Sequence, residues 1–412
     1  MTKESIAVTT GTPSPPAWRN HVHLPEDIRD INALMLADYQ RVAQRTDKLP
    51  AGIDYPILGL FGETGGLLAV LKKRAREGDS FSKFHDGLLE EFGDVLWYLS
   101  TIASRYQLNL AVLAQRLLKG LENWDDVDEE LGTFFDVQSS SDGGDSPKDL
   151  NNEAAKLAGA VGELLNDFRQ NQPFNNRDRL SSHLLEIFRH FVSAADAANI
   201  CLNEVAASNL YKIFNRWPEN AIYPPRIDND LEVYEKFPPT LDIYISEEKV
   251  NGRLFVFQRC NGIYIGDRLT DNKQSGDDYR FHDVFHLSFA VHLGWSPVLR
   301  ALLHLKRKSL PDVDENQDGA RAILIEEGIA TFIFERGLRA GWDVKDVEKV
   351  DFDLLKYVTE FVRGYEAERC CMWQWELAII DAFNIFRALK RVRKGWIHAN
   401  LDEHTLSFRS EP

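Results

Sequence analysis

Cysteine is scarce: four in 412 residues, two of them adjacent at Cys370 and Cys371, with no CxxC pair. That excludes a disulfide framework of the small secreted kind and suits a reducing, cytoplasmic setting. Long apolar runs are missing too. No stretch approaches the roughly 18 residues of a membrane-spanning helix, and the polar start, MTKESIAVTTGTPSPPAW, lacks the apolar core of a signal peptide. Basic charge is in deficit, since 48 Lys and Arg against 64 Asp and Glu leave a formal net charge of −16. This balance argues against a polybasic membrane binder or a non-specific nucleic-acid coat, and it suits a protein that gathers carboxylates around divalent metal. What remains is globular composition, 44% hydrophobic and 27% charged, in a chain too long for one ordinary core.

Apolar residues recur at three- and four-residue intervals over 27–124 and again over 152–217, which predicts two helical blocks. Between them, 137–147 is a Ser/Gly/Asp tract that cannot fill a core and reads as a linker. The blocks resemble each other. Leu88-Leu-Glu-Glu-Phe has a counterpart 96 residues on at Leu184-Leu-Glu-Ile-Phe, Lys119 has one 93 on at Lys212, and Gly65 has one 97 on at Gly162. A duplicated helical unit follows from that order and spacing. After Pro239 the texture changes: 241–245, 253–257 and 263–265 look like short strands, with an Asn251-Gly252 hairpin turn, and helical pattern resumes from 279 almost to 396. The expected fold class is mainly α, a tandem helical bundle followed by a smaller α+β domain. The expected segments are a flexible lead at 1–22, a first repeat at 23–135, a linker at 136–151, a second repeat at 152–225, and a C-terminal domain at 226–412.

In the first block Glu91 and Asp94 sit three apart inside an apolar pattern, which puts both carboxylates on one helix face, and Glu63 lies among apolar residues of an earlier helix. Carboxylates facing into a bundle are costly unless they hold a cation, and Mg²⁺ prefers oxygen ligands with substrate phosphates completing its shell. Taken alone, such a pair is more often a solvated face. In the second block Asn209 and Lys212 share a face, with Arg216 four beyond, and cationic donors of this kind suit nucleotide phosphates.

Together these residues resemble the MazG family of all-α nucleoside triphosphate pyrophosphohydrolases, whose motifs are a first-helix ExxE, a second-helix ExxD and a later helix with Asn and Lys. Leu89-Glu-Glu-Phe-Gly-Asp-Val-Leu-Trp-Tyr-Leu99 matches the second motif, and Glu63 matches the first Glu of the first motif, with Gly66 where its second Glu would stand. The second block is complementary. It keeps Glu163, Asn209 and Lys212 but carries Ile187 and His190 in place of the motif acids, while the first block has Arg116 and Lys119 where the Asn and Lys would be. The resemblance covers about 58–217 and looks like a fused tandem of the dimeric-dUTPase kind, with one intact and one decayed metal set. It implies Mg²⁺-dependent (or Mn²⁺-dependent) cleavage of a nucleoside triphosphate to monophosphate and pyrophosphate, in nucleotide house-cleaning or depletion during phage attack. The implied metal ligands are Glu63, Glu91, Asp94 and Glu163, with Glu63, Glu90, Glu91 and Asp94 as catalytic residues. Lys119, Asn209, Lys212 and Arg216 would hold phosphates. Trp97 and Tyr98 are candidates to stack a base. A homodimer is left open.

A second constellation lies in the C-terminal domain. His282-Asp283-Val-Phe-His286 places two histidines four apart on one face, and Glu326-Glu327 follows forty residues on in an apolar run. The set resembles a gluzincin metallopeptidase with Asp283 where the base Glu would stand, and also HD-type phosphohydrolases, for which His304 and Asp318 are loose further ligands. A satisfied core histidine pair is the plain alternative. The surrounding sequence resembles the C-terminal domain that accompanies some bacterial MazG-like proteins. These residues give the second functional reading: a nucleotide-sensing module controlling a C-terminal hydrolase that uses a second divalent metal. The basic clusters at 306–308 and 387–394 could receive a phosphorylated ligand or nucleic acid but read more commonly as solvated helix ends, and Trp373 and Trp375 read as core.

Overall fold

The computed structural model describes residues 16–119, 132–139, 148–170 and 176–410. It is mainly α, and the chain divides into two compact units: His23–Glu219, and Met1–Val22 together with Asn220–Pro412. Both helical blocks fall within the first unit, and the second is not the smaller of the two. Ala17–His21, inside the stretch read as a flexible lead, form a 3-10 turn beside a second such turn, Glu366–Arg369. Within the tract read as a linker, 140–147 lies outside the described residues.

The first unit holds α1 (Leu36–Arg45), α2 (Asp54–Glu77), α3 (Phe84–Arg105), α4 (Leu110–Lys119), α5 (Phe134–Ser139), α6 (Leu150–Gln170), α7 (Arg177–Ala197) and α8 (Leu202–Arg216). α2 pairs with α3 and α6 with α7, and α2 also packs on α6. α8 lies against α3, and α4 against α7, so the third helix of each block rests on the second helix of the other. α3 shows why. Its Leu88, Phe92, Val95, Leu96 and Leu99 are buried at helical spacing, which turns Glu90, Glu91 and Asp94 to the edge of the buried stripe. α2 carries four glycines, each costing about 1 kcal/mol against alanine in a helix. Two have a steric reason: a Cβ at Gly59 would collide with the Tyr98 ring, and one at Gly66 with the Glu91 carboxylate. The side chain of Gln40 fastens α1 to the turn before α4, donating to Leu108 O (2.8 Å) and accepting from Leu110 N (2.7 Å).

The second unit is built on an antiparallel sheet of β1 (Thr240–Val250), β2 (Arg253–Cys260), β3 (Ile263–Tyr264), β4 (Lys394–Asn400) and β5 (Thr405–Arg409), in the order β3-β2-β1-β4-β5. The Asn251-Gly252 turn forms as the sequence predicts: both residues have positive φ (51° and 83°), which closes Val250 onto Arg253. β4 and β5 occupy ground that the sequence reading gave partly to helix. Around the sheet are α9 (Asp283–Leu293), α10 (Pro297–Leu302), α11 (Pro311–Asn316), α12 (Ala320–Ala340), α13 (Phe352–Phe361) and α14 (Met372–Val392). Every residue of α9 from Val284 to Leu293 is buried, so α9 is the axis of the core rather than a surface helix. α14 packs along it closely enough for Ser288 Oγ to donate to the Ala378 carbonyl at 2.7 Å.

Charge in this unit is paired off. Arg300 and Asp228, both buried, meet at 2.9 Å, and Arg307 forms a two-pronged pair with Asp318 at 2.8 and 3.0 Å. Asp318 is thereby committed to Arg307, and His304 is exposed, so neither joins the histidine motif. In the two basic clusters Lys308 pairs with Asp314, Arg387 with Asp346 and Lys390 with Asp343. Trp373 and Trp375 are buried.

The packing has little slack at the crossing of α12 and α14. A Cβ on Gly337 would strike the Phe383 ring, which Phe285, Trp342 and Phe386 hold edge-on at 5.1, 5.4 and 6.3 Å. Gly337→Ala should therefore destabilise by about 1–2 kcal/mol, because overpacking outweighs the helix-propensity gain. A denaturation midpoint equal to or above that of the unchanged chain would show that the ring can retreat.

Candidate functional site

In the first unit, two helices bring four acids to one place and a third meets them. α3 supplies Glu90, Glu91 and Asp94, α2 supplies Glu63, and α8 brings Asn209 and Lys212 across from the second block. Lys212 Nζ donates to Asp94 Oδ2 at 2.6 Å and to Glu90 Oε1 at 3.1 Å. The Asn209 amide donates to Asp94 Oδ1 at 3.3 Å and accepts from the Tyr39 hydroxyl at 2.9 Å. Asn209 is 3% exposed, and α8 can come this close because residue 93 is glycine: a Cβ there would sit 3.1 Å from Asn209 Cβ.

The acids strain against one another. Burial, then the charges of Glu63, Asp94 and Glu90, push the Glu91 carboxyl up to about 7, with Lys212 pulling the other way. Glu63 is raised as well, by burial and by Asp94 and Glu90, while Lys212 and a hydrogen bond from Glu91 moderate it. Two carboxyl groups share a hydrogen bond only through a proton, and Glu91, the more strongly raised, carries it. Burial works against the Lys212 ammonium, yet Asp94 and Glu90 outweigh it and raise its pKa. Tyr98 is raised by burial and then by Glu63 and Asp94, and Tyr39 by burial and then by Asp94. The cluster is thus a locus of excess negative charge that one lysine and one proton only partly offset.

The other residues of the sequence reading are placed as follows. Glu163 is exposed on α6 and is not joined to the cluster by a hydrogen bond or ion pair. Arg216, near the end of α8, lies over the Trp217 ring at 4.6 Å. The Lys119 side chain is outside the described residues. Trp97 donates to Thr46 Oγ1 at 3.0 Å, and Tyr98 fills the notch at Gly59. Tyr39 was missed by the sequence reading: it lies within the first repeat but ahead of the span 58–217 that carries the resemblance, and it belongs to no motif. Gly93 carried a signal, a glycine inside the acidic motif, that reads only once α8 is in place.

The second constellation divides into two layers. His282 Nε2 is 3.6 Å from Glu327 Oε2, and His286 Nε2 is 3.5 Å from Glu327 Oε1. One donor atom from each of the three residues lies within 4.8 Å of the others. Glu326 is turned away, accepting from His286 Nδ1 (2.8 Å), Ser296 Oγ (2.6 Å) and Val298 N (2.8 Å). Asp283 Oδ1 is 3.2 Å from His282 Nε2, and its other oxygen accepts from Gln258. Of the two adjacent glutamates, then, one faces the histidines and the other supports one of them from behind.

Residues 222–412 match the family model of the MazG C-terminal domain, a span that contains the histidine constellation but not the acidic cluster. The Gene 37 protein of Mycobacterium phage L5 is 34% identical over 74 residues, 18% of this chain and 65% of the phage protein. The chain thus spans somewhat under two thirds of that relative's length. No solved structure matches. Together these likenesses support a MazG-associated protein.

The raised Glu91 carboxyl gives a sign to the pH dependence. Between the ordinary value of 4.5 and about 7 the folded chain keeps a proton that the unfolded chain releases. The contribution of this group is therefore present in full below 4.5 and lost as pH rises through about 7. With chelator present, stability should fall across that window, and Glu91→Gln should flatten the fall by on the order of 1 kcal/mol after solvent screening. Parallel stability profiles for the two proteins would refute the assignment.

Proposed function

We propose that the helical unit is a divalent-metal-dependent nucleoside triphosphate pyrophosphohydrolase that releases a nucleoside monophosphate and pyrophosphate. At family level a MazG-related domain suggests nucleotide pyrophosphohydrolase-like chemistry. The observation that carries the finer reading is the convergence of Glu63, Glu90, Glu91 and Asp94 on one place, with the Glu91 carboxyl pushed up to about 7 by burial and then by its neighbours' charge.

The donor set fits Mg²⁺, or Mn²⁺ in its place: all the acids offer oxygen, and they are over-charged without a cation. Glu63, Glu91 and Asp94 would hold the ion, which when bound would neutralise phosphate charge and acidify a water. The chain's own residues define the rest. Lys212 bridges Glu90 and Asp94 and stands ready to meet a phosphate oxygen when either carboxylate turns to metal. Asn209, fixed by the Tyr39 hydroxyl, orients Asp94. Glu90, partly exposed, is placed to accept a proton. The exchange of α4 and α8 between the two blocks supports reading them as a fused tandem, in which one repeat gives acids and the other gives cationic donors. Homodimerisation is not required for such a composite site.

The reading is tested by product identity. The purified chain is incubated with each common NTP and dNTP and Mg²⁺, and products are resolved by ion exchange. Monophosphate and pyrophosphate are expected, with Glu91→Gln lowering turnover at least about a hundredfold while nucleotide still binds. Turnover that survives Glu91→Gln but is lost in His286→Ala would place the chemistry in the C-terminal unit. A second reading, a nucleotide-sensing unit that governs a hydrolase, draws on Gly66, where the family pattern has an acid. Nucleotide binding without turnover in the unchanged chain would select it.

A further inference from the structure

The pyrophosphohydrolase reading makes no use of the histidines of the second unit, which are built in a way that core packing does not explain. His282 Nδ1 faces the Tyr279 carbonyl at 2.9 Å, and a carbonyl can only accept. His286 Nδ1 faces the Glu326 carboxylate at 2.8 Å. That carboxylate already accepts from Ser296 Oγ and Val298 N and so acts as an acceptor again. Each imidazole is therefore held with its proton on Nδ1, and in the neutral ring the Nε2 lone pair is left to point elsewhere. Both Nε2 atoms point to the same place, against the two oxygens of Glu327 at 3.6 and 3.5 Å.

His286 sharpens the point. It is completely buried, and its Nε2 has no hydrogen-bond partner. In the neutral ring a lone pair facing a carboxylate is unfavourable, and an unsatisfied polar atom in a core is costly. A cation between the three groups removes both defects. Outer support is also in place: Nδ1 donating to a carboxylate or backbone carbonyl is the usual arrangement behind a metal-bound histidine. Ring stacking of Tyr279 on His282, at 4.2 Å and 5°, fixes the orientation of the second imidazole.

We propose that His282 Nε2, His286 Nε2 and Glu327 form a binding site for a transition-metal dication of the zinc type, with Glu326 as the outer support of His286. Two imidazole nitrogens and one carboxylate favour zinc over magnesium, which takes oxygen donors. Three protein ligands leave a coordination position open, as in zinc sites that act on substrates rather than those that only brace a fold. The opening lies on the Glu327 side, where that side chain is 38% exposed while both histidines are buried. The open position would take water or an oxygen-donor ligand. Asp283, beside His282 and held by Gln258, is the neighbouring carboxylate.

The test is metal binding by the full chain. Protein stripped with a chelator is titrated with Zn²⁺ against a chromogenic competitor, and in parallel with Co²⁺, whose visible absorption reports coordination. One equivalent should bind far more tightly than Mg²⁺, and the Co²⁺ form should show bands of a four- or five-coordinate nitrogen/oxygen site. His282→Gln and Glu327→Gln should each weaken the site at least about tenfold, Glu326→Gln roughly 10–100-fold, and His398→Gln, an exposed side chain on β4, should leave it unchanged. Because His286→Ala opens a hole in the core, Glu327→Gln, half-exposed and isosteric, is the deciding variant, with its fold checked by circular dichroism. Glu91→Gln should retain the equivalent. The proposal is overturned if the unchanged chain binds Zn²⁺ no better than Glu327→Gln does, or if the equivalent disappears in Glu91→Gln and persists in His282→Gln.

Discussion

A lysine held between two carboxylates organises the helical unit. Lys212 reaches from α8 to Glu90 and Asp94 of α3, and without it those two acids would face each other at the edge of a buried stripe. Removing one partner from such a half-buried set exposes the others to uncompensated repulsion, so the register of α8 on α3 and the charge state of the acids are one problem. Gly93 is the steric side of that constraint, and the hydrogen bond from Tyr39 to Asn209 brings α1 into it. The exchange of third helices between the blocks follows in part: α8 lies on α3, where its ammonium and amide find their partners.

The second unit solves a comparable problem with different chemistry. α9 is buried on every side, so any polar atom it carries needs a partner. Ser288 finds the Ala378 carbonyl, and His292 finds Asp381 and the Tyr223 hydroxyl at 2.9 and 3.0 Å. His286 is satisfied on one nitrogen only. A helix that answers each of its other polar groups and leaves one imidazole nitrogen without a hydrogen bond, facing a glutamate, is not short of partners by accident of packing.

Much of this was legible in the sequence, for reasons that also say where legibility stops. Helices followed from apolar spacing, and the Asn-Gly turn from the two residues that tolerate left-handed backbone. Glu91 and Asp94 sharing a face followed from their separation of three. The last two strands did not show, because α14 ends without a glycine: Arg393 takes φ of +68°, held by ion pairs to Asp278 and Glu247 that no local pattern encodes. The roles of Glu326 and Glu327 were equally hidden. Neighbouring residues on a helix point about 100° apart, and only the docking of α12 beside α9 decides which of them meets the histidines. Glu163 shows the converse. It has the motif's residue type at the motif's spacing, yet α6 turns it to solvent.

Gly66 is the point at which motif and structure must be weighed together. Counted as a lost ligand, it argues for decay. The geometry gives it another meaning, because the Glu91 carboxyl occupies the space that a side chain at 66 would fill. Four carboxylates against one ammonium leave three negative charges in excess when all are ionised, and the proton that Glu91 retains up to about pH 7 lowers that to two. A divalent cation would offset what remains, and it would favour the ionised form of Glu91. On the proposed reading, ion binding and proton release at this site would be linked, and affinity for the ion would rise with pH until Glu91 has titrated. The decisive quantity for that reading is the charge that the surviving acids bring together, and on that count glycine at 66 would weaken a cation site without removing the excess negative charge.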